Sequence, residues 1–287
     1  MIVPRGETID DAVVADAAAS DLSGSRICFM KVPKTASSSI VAMIRSVHQS
    51  APEQELRESG IRSGRSASKF AAALFAHGHV SWHDVEPLLA EEPREWVPIM
   101  AFRDPLARTL SHYRYLQRRH SSPGITGRIR MMCDEAVRRP LRDLARDETS
   151  LFHGWTMPVQ TLFLGSELQG PITEHPWPAA ALSPAVQHEA LKRALERLHR
   201  LAWIGVVESL ERDLQVLAHD RGWAPVPLRW LNRSVASTAG DGSDRLDGDT
   251  LRLLMDRLSA DYLLIESARE IAAERWRRVE ATGLVKE

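Results

Sequence analysis

Apolar positions along this chain fall into short solid runs separated by longer stretches with helical spacing. From Ile27 to Val32 almost every residue is apolar, the pattern of a strand covered on both faces in a parallel sheet. Ile40, Ile44 and Val47 follow at the spacing of a helix. The segment FAAALFAHGHV reads as a second strand, ending at His77–His79. WVPIMAFRDP reads as a third, with Pro98 tolerated only near its start. Asp104 then caps a helix with Pro105 at its first position, and Leu106, Leu110 and Tyr113 mark the face expected to be buried. A polar helix is expected around 131–147, and an amphipathic one over 184–201 carrying Leu191, Leu195 and Leu198. LAWIGVVES reads as a further strand, SLERDLQVLAHDRG as a helix ended by Gly222, and 249–280 as helical. Residues 48–69 are polar and rich in Gly and Ser, and read as a loop-rich excursion. Strands alternating with helices predict an α/β protein: a central parallel sheet flanked by helices, with a helical C-terminal part. Residues 1–24 read as a flexible lead-in, and 25–287 as a single domain.

Composition narrows this little. The 287 residues are 44% hydrophobic and 26% charged, ordinary for a globular chain. With 37 Lys and Arg against 38 Asp and Glu, the whole chain is no polyanion binder, and any anion site must be a local patch. Nucleic acid is therefore not an expected partner. Cys28 and Cys133 are the only cysteines, so no disulfide framework is implied. The first 24 residues lack a basic region followed by an apolar one, and no window approaches the ~18 consecutive apolar residues of a membrane span. A cytoplasmic protein without a membrane anchor is the expectation.

Chemistry enters at KVPKTASSSI, residues 31–40. A strand runs into a Pro-Lys pair, then small residues, then a helix. That order suits a phosphate group, which needs convergent N–H donors, hydroxyls and a cation. The unpaired amides at a helix N-terminus supply the first. Thr35, Ala36, Ser37, Ser38 and Ser39 are small enough to let an anion approach the backbone, and Lys34 carries a point charge. The loop has no glycine, and its Lys precedes the hydroxyl residues, so it is not a Walker A loop. The plain alternative is a capped helix after a turn.

VPKTASSSI, HGHVSW and FRDPLARTLSHYRYL, in that order, resemble the carbohydrate-type sulfotransferases, the group that includes heparan sulfate 2-O-sulfotransferase. PVQTLFLG and WIGVVESLERDLQVL extend the likeness to roughly residues 26–235. The resemblance implies a P-loop-like sulfotransferase fold and 3′-phosphoadenylyl sulfate (PAPS) as donor co-substrate. It implies that the first motif holds the 5′-phosphosulfate, with Lys34 both binding and catalytic. It implies that Arg103 and Ser111 hold the 3′-phosphate. Ser111 lies seven residues after Asp104, so the helix returns it to the face its N-terminus presents. His79 matches the family's catalytic histidine, and an imidazole can take the proton an acceptor hydroxyl must lose. His77 is expected on the same side of its strand, orienting acceptor or base, with Gly78 leaving room between them. Asn232, Arg233 and Ser234 fall where a late loop often covers the nucleotide. The chain departs from the family in lacking the animal enzymes' anchor and their middle-region cysteine pair.

The acceptor implied is a hydroxyl, on a saccharide or glycoconjugate. His77 and His79 also form an H-x-H pair, but no Cys or acidic cluster adjoins it in sequence, and no metal is expected. Trp82, Trp155 and Trp230 suit stacking on a sugar or plain packing. Two other function classes stay open: a P-loop-type nucleotide kinase or hydrolase, and a module that binds nucleotide or glycan without turnover.

Overall fold

The structure, a computed structural model, describes residues 26–47, 52–57, 61, 70, 72–91, 96–167, 183–224, 227–231 and 246–283. The lead-in 1–24 and the Asn232–Ser234 segment lie outside the described residues. Five parallel strands form one sheet: β1 (Arg26–Met30), β2 (Glu53–Leu56), β3 (Phe75–Gly78), β4 (Trp96–Phe102) and β5 (Trp203–Val206), in the order β2-β3-β1-β4-β5. Ten helices accompany them among the described residues: α1 (Ser37–Val47), α2 (Trp82–Glu91), α3 (Pro105–Arg119), α4 (Gly127–Arg138), α5 (Leu141–Arg146), α6 (Val159–Gly165), α7 (Pro184–Leu198), α8 (Leu210–Asp220), α9 (Gly248–Arg257) and α10 (Ser259–Ala281). Two short 3-10 turns, at His153–Thr156 and Val207–Ser209, complete the path. The protein is thus α/β with a five-stranded parallel sheet. Among the described residues no helix is long and apolar enough to cross a membrane.

The solid apolar runs have the cause expected of them. Successive side chains of a strand point to opposite faces, and both faces here are covered. Ile27, Phe29, Ile99, Ala101 and Trp203 meet Ile40 and Ile44 of α1 and Leu210, Leu214 and Leu217 of α8. Cys28, Met30, Met100, Phe102 and Ile204 meet α2, α6, α7 and α10 through Leu88, Phe163, Ala190 and Leu264. Burying one such side chain fully contributes ~1.5–3 kcal/mol, so the central strands carry much of the stability. Gly165 ends α6 against α7, where a Cβ would lie 1.8 Å from the Ala190 carbonyl oxygen. A third cluster joins Tyr113 and Leu116 of α3 to Met132, Cys133 and Ala136 of α4.

Four expectations are corrected. The 48–69 excursion contains β2, an edge strand of sequence EQEL in which only Leu56 is buried, so no apolar run announced it. The second strand is shorter than its apolar segment, beginning only at Phe75. The helix expected around 131–147 is two helices, parted at Arg139 and Pro140, and the C-terminal helical stretch is likewise broken at Leu258. Finally, Leu106 and Leu110 are only half-buried. The fully enclosed residues of α3 include Arg108, Thr109 and His112, polar residues that an apolar count passes over.

Candidate functional site

In a parallel sheet every strand delivers its following loop to the same edge. Here the chain builds β2 and β3 on one side of β1 and β4 and β5 on the other. The reversal falls between β1 and β4, and such a switch point opens a crevice at the strands' carboxyl ends. Residues 31–36 after β1, His79 after β3 and Arg103–Asp104 after β4 all converge there.

The loop after β1 turns sharply. Lys34 and Ala36 adopt left-handed backbone conformations, with φ of 73° and 59°. For residues with a Cβ this costs roughly 1–2 kcal/mol each, and it persists because neighbours fix it. Thr35 Oγ1 and Ser37 Oγ both donate to the Val32 carbonyl, at 2.9 and 3.0 Å. Arg103 Nη1 reaches across from β4 to donate to the Lys34 carbonyl at 3.2 Å. Ser39 Oγ, almost fully buried, accepts from the Leu231 amide at 2.8 Å, tying the segment before Asn232 to the first turn of α1. Three of the loop's four hydroxyls are therefore engaged within the protein, and Ser38 alone is exposed. The Ser39 and Ile40 amides donate to Ala36 O, whereas the Thr35, Ala36, Ser37 and Ser38 amides have no acceptor among the described residues. Backbone N–H groups gathered by such a turn form an anion-binding concavity.

Lys34 Nζ lies 4.3 Å from the centroid of the Tyr115 ring. Burial, together with the Arg118 and Arg103 charges, lowers its pKa to about 8. At neutral pH it is still mostly an ammonium, held where cations already crowd. Arg103 is itself partly desolvated, with Glu208 and Asp104 opposing that effect. Its backbone is held by Gln160, whose Oε1 accepts from Arg103 N and whose Nε2 donates to Arg103 O, each at 2.8 Å. Asp104 caps α3 through Ala107 N at 2.8 Å, as its sequence predicts, and its own amide donates to Glu208 Oε1. Ser111 is 7% exposed, and no described residue hydrogen-bonds its hydroxyl; no contact joins it to Arg103 among the described residues.

The two histidines differ in exposure. His77 is 3% exposed, tilted against Phe75, and its Nε2 meets Glu53 Oε1 at 2.5 Å. Arg45 binds the same carboxylate. His77 is thus enclosed beside the β2 edge, its Nδ1 without a partner among the described residues. A Cβ at Gly78 would sit 2.2 Å from the Leu56 carbonyl oxygen, so the glycine lets β2 close on β3. Because the strand ends at Gly78, alternation no longer constrains His79, which is exposed at the cleft. Its Nδ1 lies 2.8 Å from Lys31 O. A carbonyl oxygen only accepts, so Nδ1 carries the proton and Nε2 keeps its lone pair. Desolvation by the surrounding chain and the Lys31 charge lower its pKa to about 4, leaving the ring neutral near pH 7.

Behind these groups lies His112, 5% exposed, stacked on Trp155 at 4.0 Å, with both nitrogens unpartnered. Burial and the Arg108 and Lys34 charges hold it well below its ordinary pKa. Trp82 is enclosed in the core, whereas half-buried Trp230 donates its indole N–H to Glu211. Sequence reading missed Gln160, Tyr115 and His112 as members of this site. Gln160 and Tyr115 stood inside the quoted motifs PVQTLFLG and SHYRYL, but nothing in one dimension says whom they meet. Asp261, which holds Gln160, carries no sequence signal at all. No protein-family model matches the chain, and no curated protein matches it.

Proposed function

We propose that the protein is a PAPS-dependent sulfotransferase that moves a sulfuryl group to an acceptor hydroxyl, within a P-loop-like sulfotransferase fold. One observation carries the reading: a strained strand-to-helix turn offers unpaired amides and Lys34, and the loop's Lys31 carbonyl holds a histidine whose Nε2 is bare. A turn without glycine, with its cation ahead of the helix, suits one 5′-phosphosulfate better than a metal-bound triphosphate. Electrostatics point the same way, since Lys34 feels the Arg103 and Arg118 charges in a chain whose net charge is −1.

Each residue then has a task. The 35–38 amides and the exposed Ser38 hydroxyl cradle the 5′-phosphate. Arg103 and Ser111 take the 3′-phosphate, a guanidinium with a hydroxyl. His79 Nε2 removes the acceptor O–H proton as that oxygen forms its bond to sulfur. The bond from sulfur to the bridging phosphate oxygen breaks, adenosine 3′,5′-bisphosphate departs, and Lys34 steadies the charge left on it. Such transfer asks for positioning and charge stabilisation rather than covalent participation by the protein. His77 has no substrate role, and Asn232, Arg233 and Ser234 remain assigned to nucleotide cover by resemblance alone. The acceptor proposed is a hydroxyl on a saccharide or glycoconjugate, and the compartment proposed is the cytoplasm.

Isothermal titration tests the reading. Adenosine 3′,5′-bisphosphate is expected to bind without magnesium, and Arg103→Ala to weaken it by about 1.5–3 kcal/mol, the range for a hydrogen bond to a charged group. Tight ATP binding that requires magnesium, with no binding of the bisphosphate, overturns the proposal. Mass spectrometry of extract incubated with labelled PAPS then identifies the acceptor.

A further inference from the structure

The β4–β5 ladder ends at the Phe102–Val206 pair, so Arg103 is the first residue past the sheet. Its backbone N–H and C=O have lost their strand neighbour and must find partners elsewhere. Gln160 supplies both, its side-chain amide standing in for a neighbouring strand. Because one amide atom accepts and the other donates, the two bonds also fix which way the amide faces. Gln160 is 0% exposed and sits in the first turn of α6, where helix amides lack intrahelical partners. Asp261 of α10 satisfies them, accepting from Gln160 N at 3.2 Å and Thr161 N at 2.7 Å. A chain of fixed contacts thus runs from α10 through α6 to the residue whose guanidinium reaches Lys34 O.

We propose that Gln160, seated by Asp261, is a positioning residue that aims Arg103 at the nucleotide's 3′-phosphate. The proposal rests on the sulfotransferase reading above. It adds a residue assigned no contact to donor or acceptor, which acts through Arg103. An apolar side chain at 160 would leave the Arg103 N–H and C=O without partners, and the backbone there would shift to find water. Arg–phosphate recognition depends on aligned donors, and a misplacement of about 1 Å can cost up to ~100-fold.

The test compares two ligands. Isothermal titration measures affinity for adenosine 3′,5′-bisphosphate and for adenosine 5′-phosphate, which lacks the group Arg103 would bind. Wild type is expected to prefer the bisphosphate. Gln160→Leu is expected to lower that preference about tenfold or more. In an Arg103→Ala background, Gln160→Leu should lower the preference no further. A variant with reduced melting temperature but the wild-type preference means Gln160 is merely structural, and overturns the proposal. If Gln160→Leu does not fold, Gln160→Asn keeps the amide but falls one methylene short, and the same ratio decides. A wild type that binds both ligands alike, or neither, overturns the nucleotide reading itself, a result distinct from a discriminating wild type with a discriminating variant.

Discussion

Lys34→Arg separates charge from titration at the head of the loop. An arginine keeps its proton throughout the working range, whereas Lys34 has its pKa lowered to about 8 by burial and by Arg118 and Arg103. If the ammonium must be present for transfer, kcat/KM holds below that pKa and declines above it. A group with a pKa near 8 is charged in about ten molecules of eleven at pH 7 and about one of eleven at pH 9, so the expected decline is about tenfold. On the acid side the base must be unprotonated, so activity holds above the His79 pKa. With that pKa lowered to about 4, the profile should stay flat through pH 5 and 6, where an ordinary histidine would already have taken up its proton. The assay is kcat/KM against pH with labelled PAPS, which reports the free enzyme, alongside kcat, which reports the bound state. Donor phosphates favour the ammonium, so the alkaline limb in kcat should lie higher than in kcat/KM. Lys34→Arg is expected to turn more slowly yet lose the alkaline limb. A limb with an unchanged midpoint in Lys34→Arg would refute the assignment of that charge to Lys34.

Other expectations follow from the same geometry. His79→Ala should reduce turnover about 10²–10⁴-fold while bisphosphate affinity survives, because the residue holds a proton path and no phosphate; retained turnover moves the base elsewhere. Gly78→Ala forces a Cβ within 2.2 Å of a backbone oxygen on β2 and should cost about 1–3 kcal/mol in urea unfolding. An unchanged urea midpoint would mean that β2 can move aside.

Several elements were readable in one dimension because their cause is local or periodic. Asp104 and Pro105 announce a helix start through chemistry contained within four residues, and Gly222, with φ of 63°, ends α8 for a similar local reason. The buried strands betray themselves by apolar runs. β2 did not, since an edge strand with one buried residue owes its existence to hydrogen bonds with β3, a partner some twenty residues away.

What the sequence alone determined, then, was the α/β class and the strand-loop-helix unit at Lys34. Spacing and residue type carry those, since each depends on neighbours along the chain. Only the tertiary structure decided how the residues there are disposed. It bent Lys34 and Ala36 into left-handed turns, buried His77 on Glu53 while leaving His79 exposed, spent three of four loop hydroxyls inside the protein, and set Gln160 and Asp261 behind Arg103. Each of those outcomes depends on a contact between segments far apart in sequence. Partial desolvation by segments distant in sequence then lowered the pKa of Lys34, an effect no sequence pattern records.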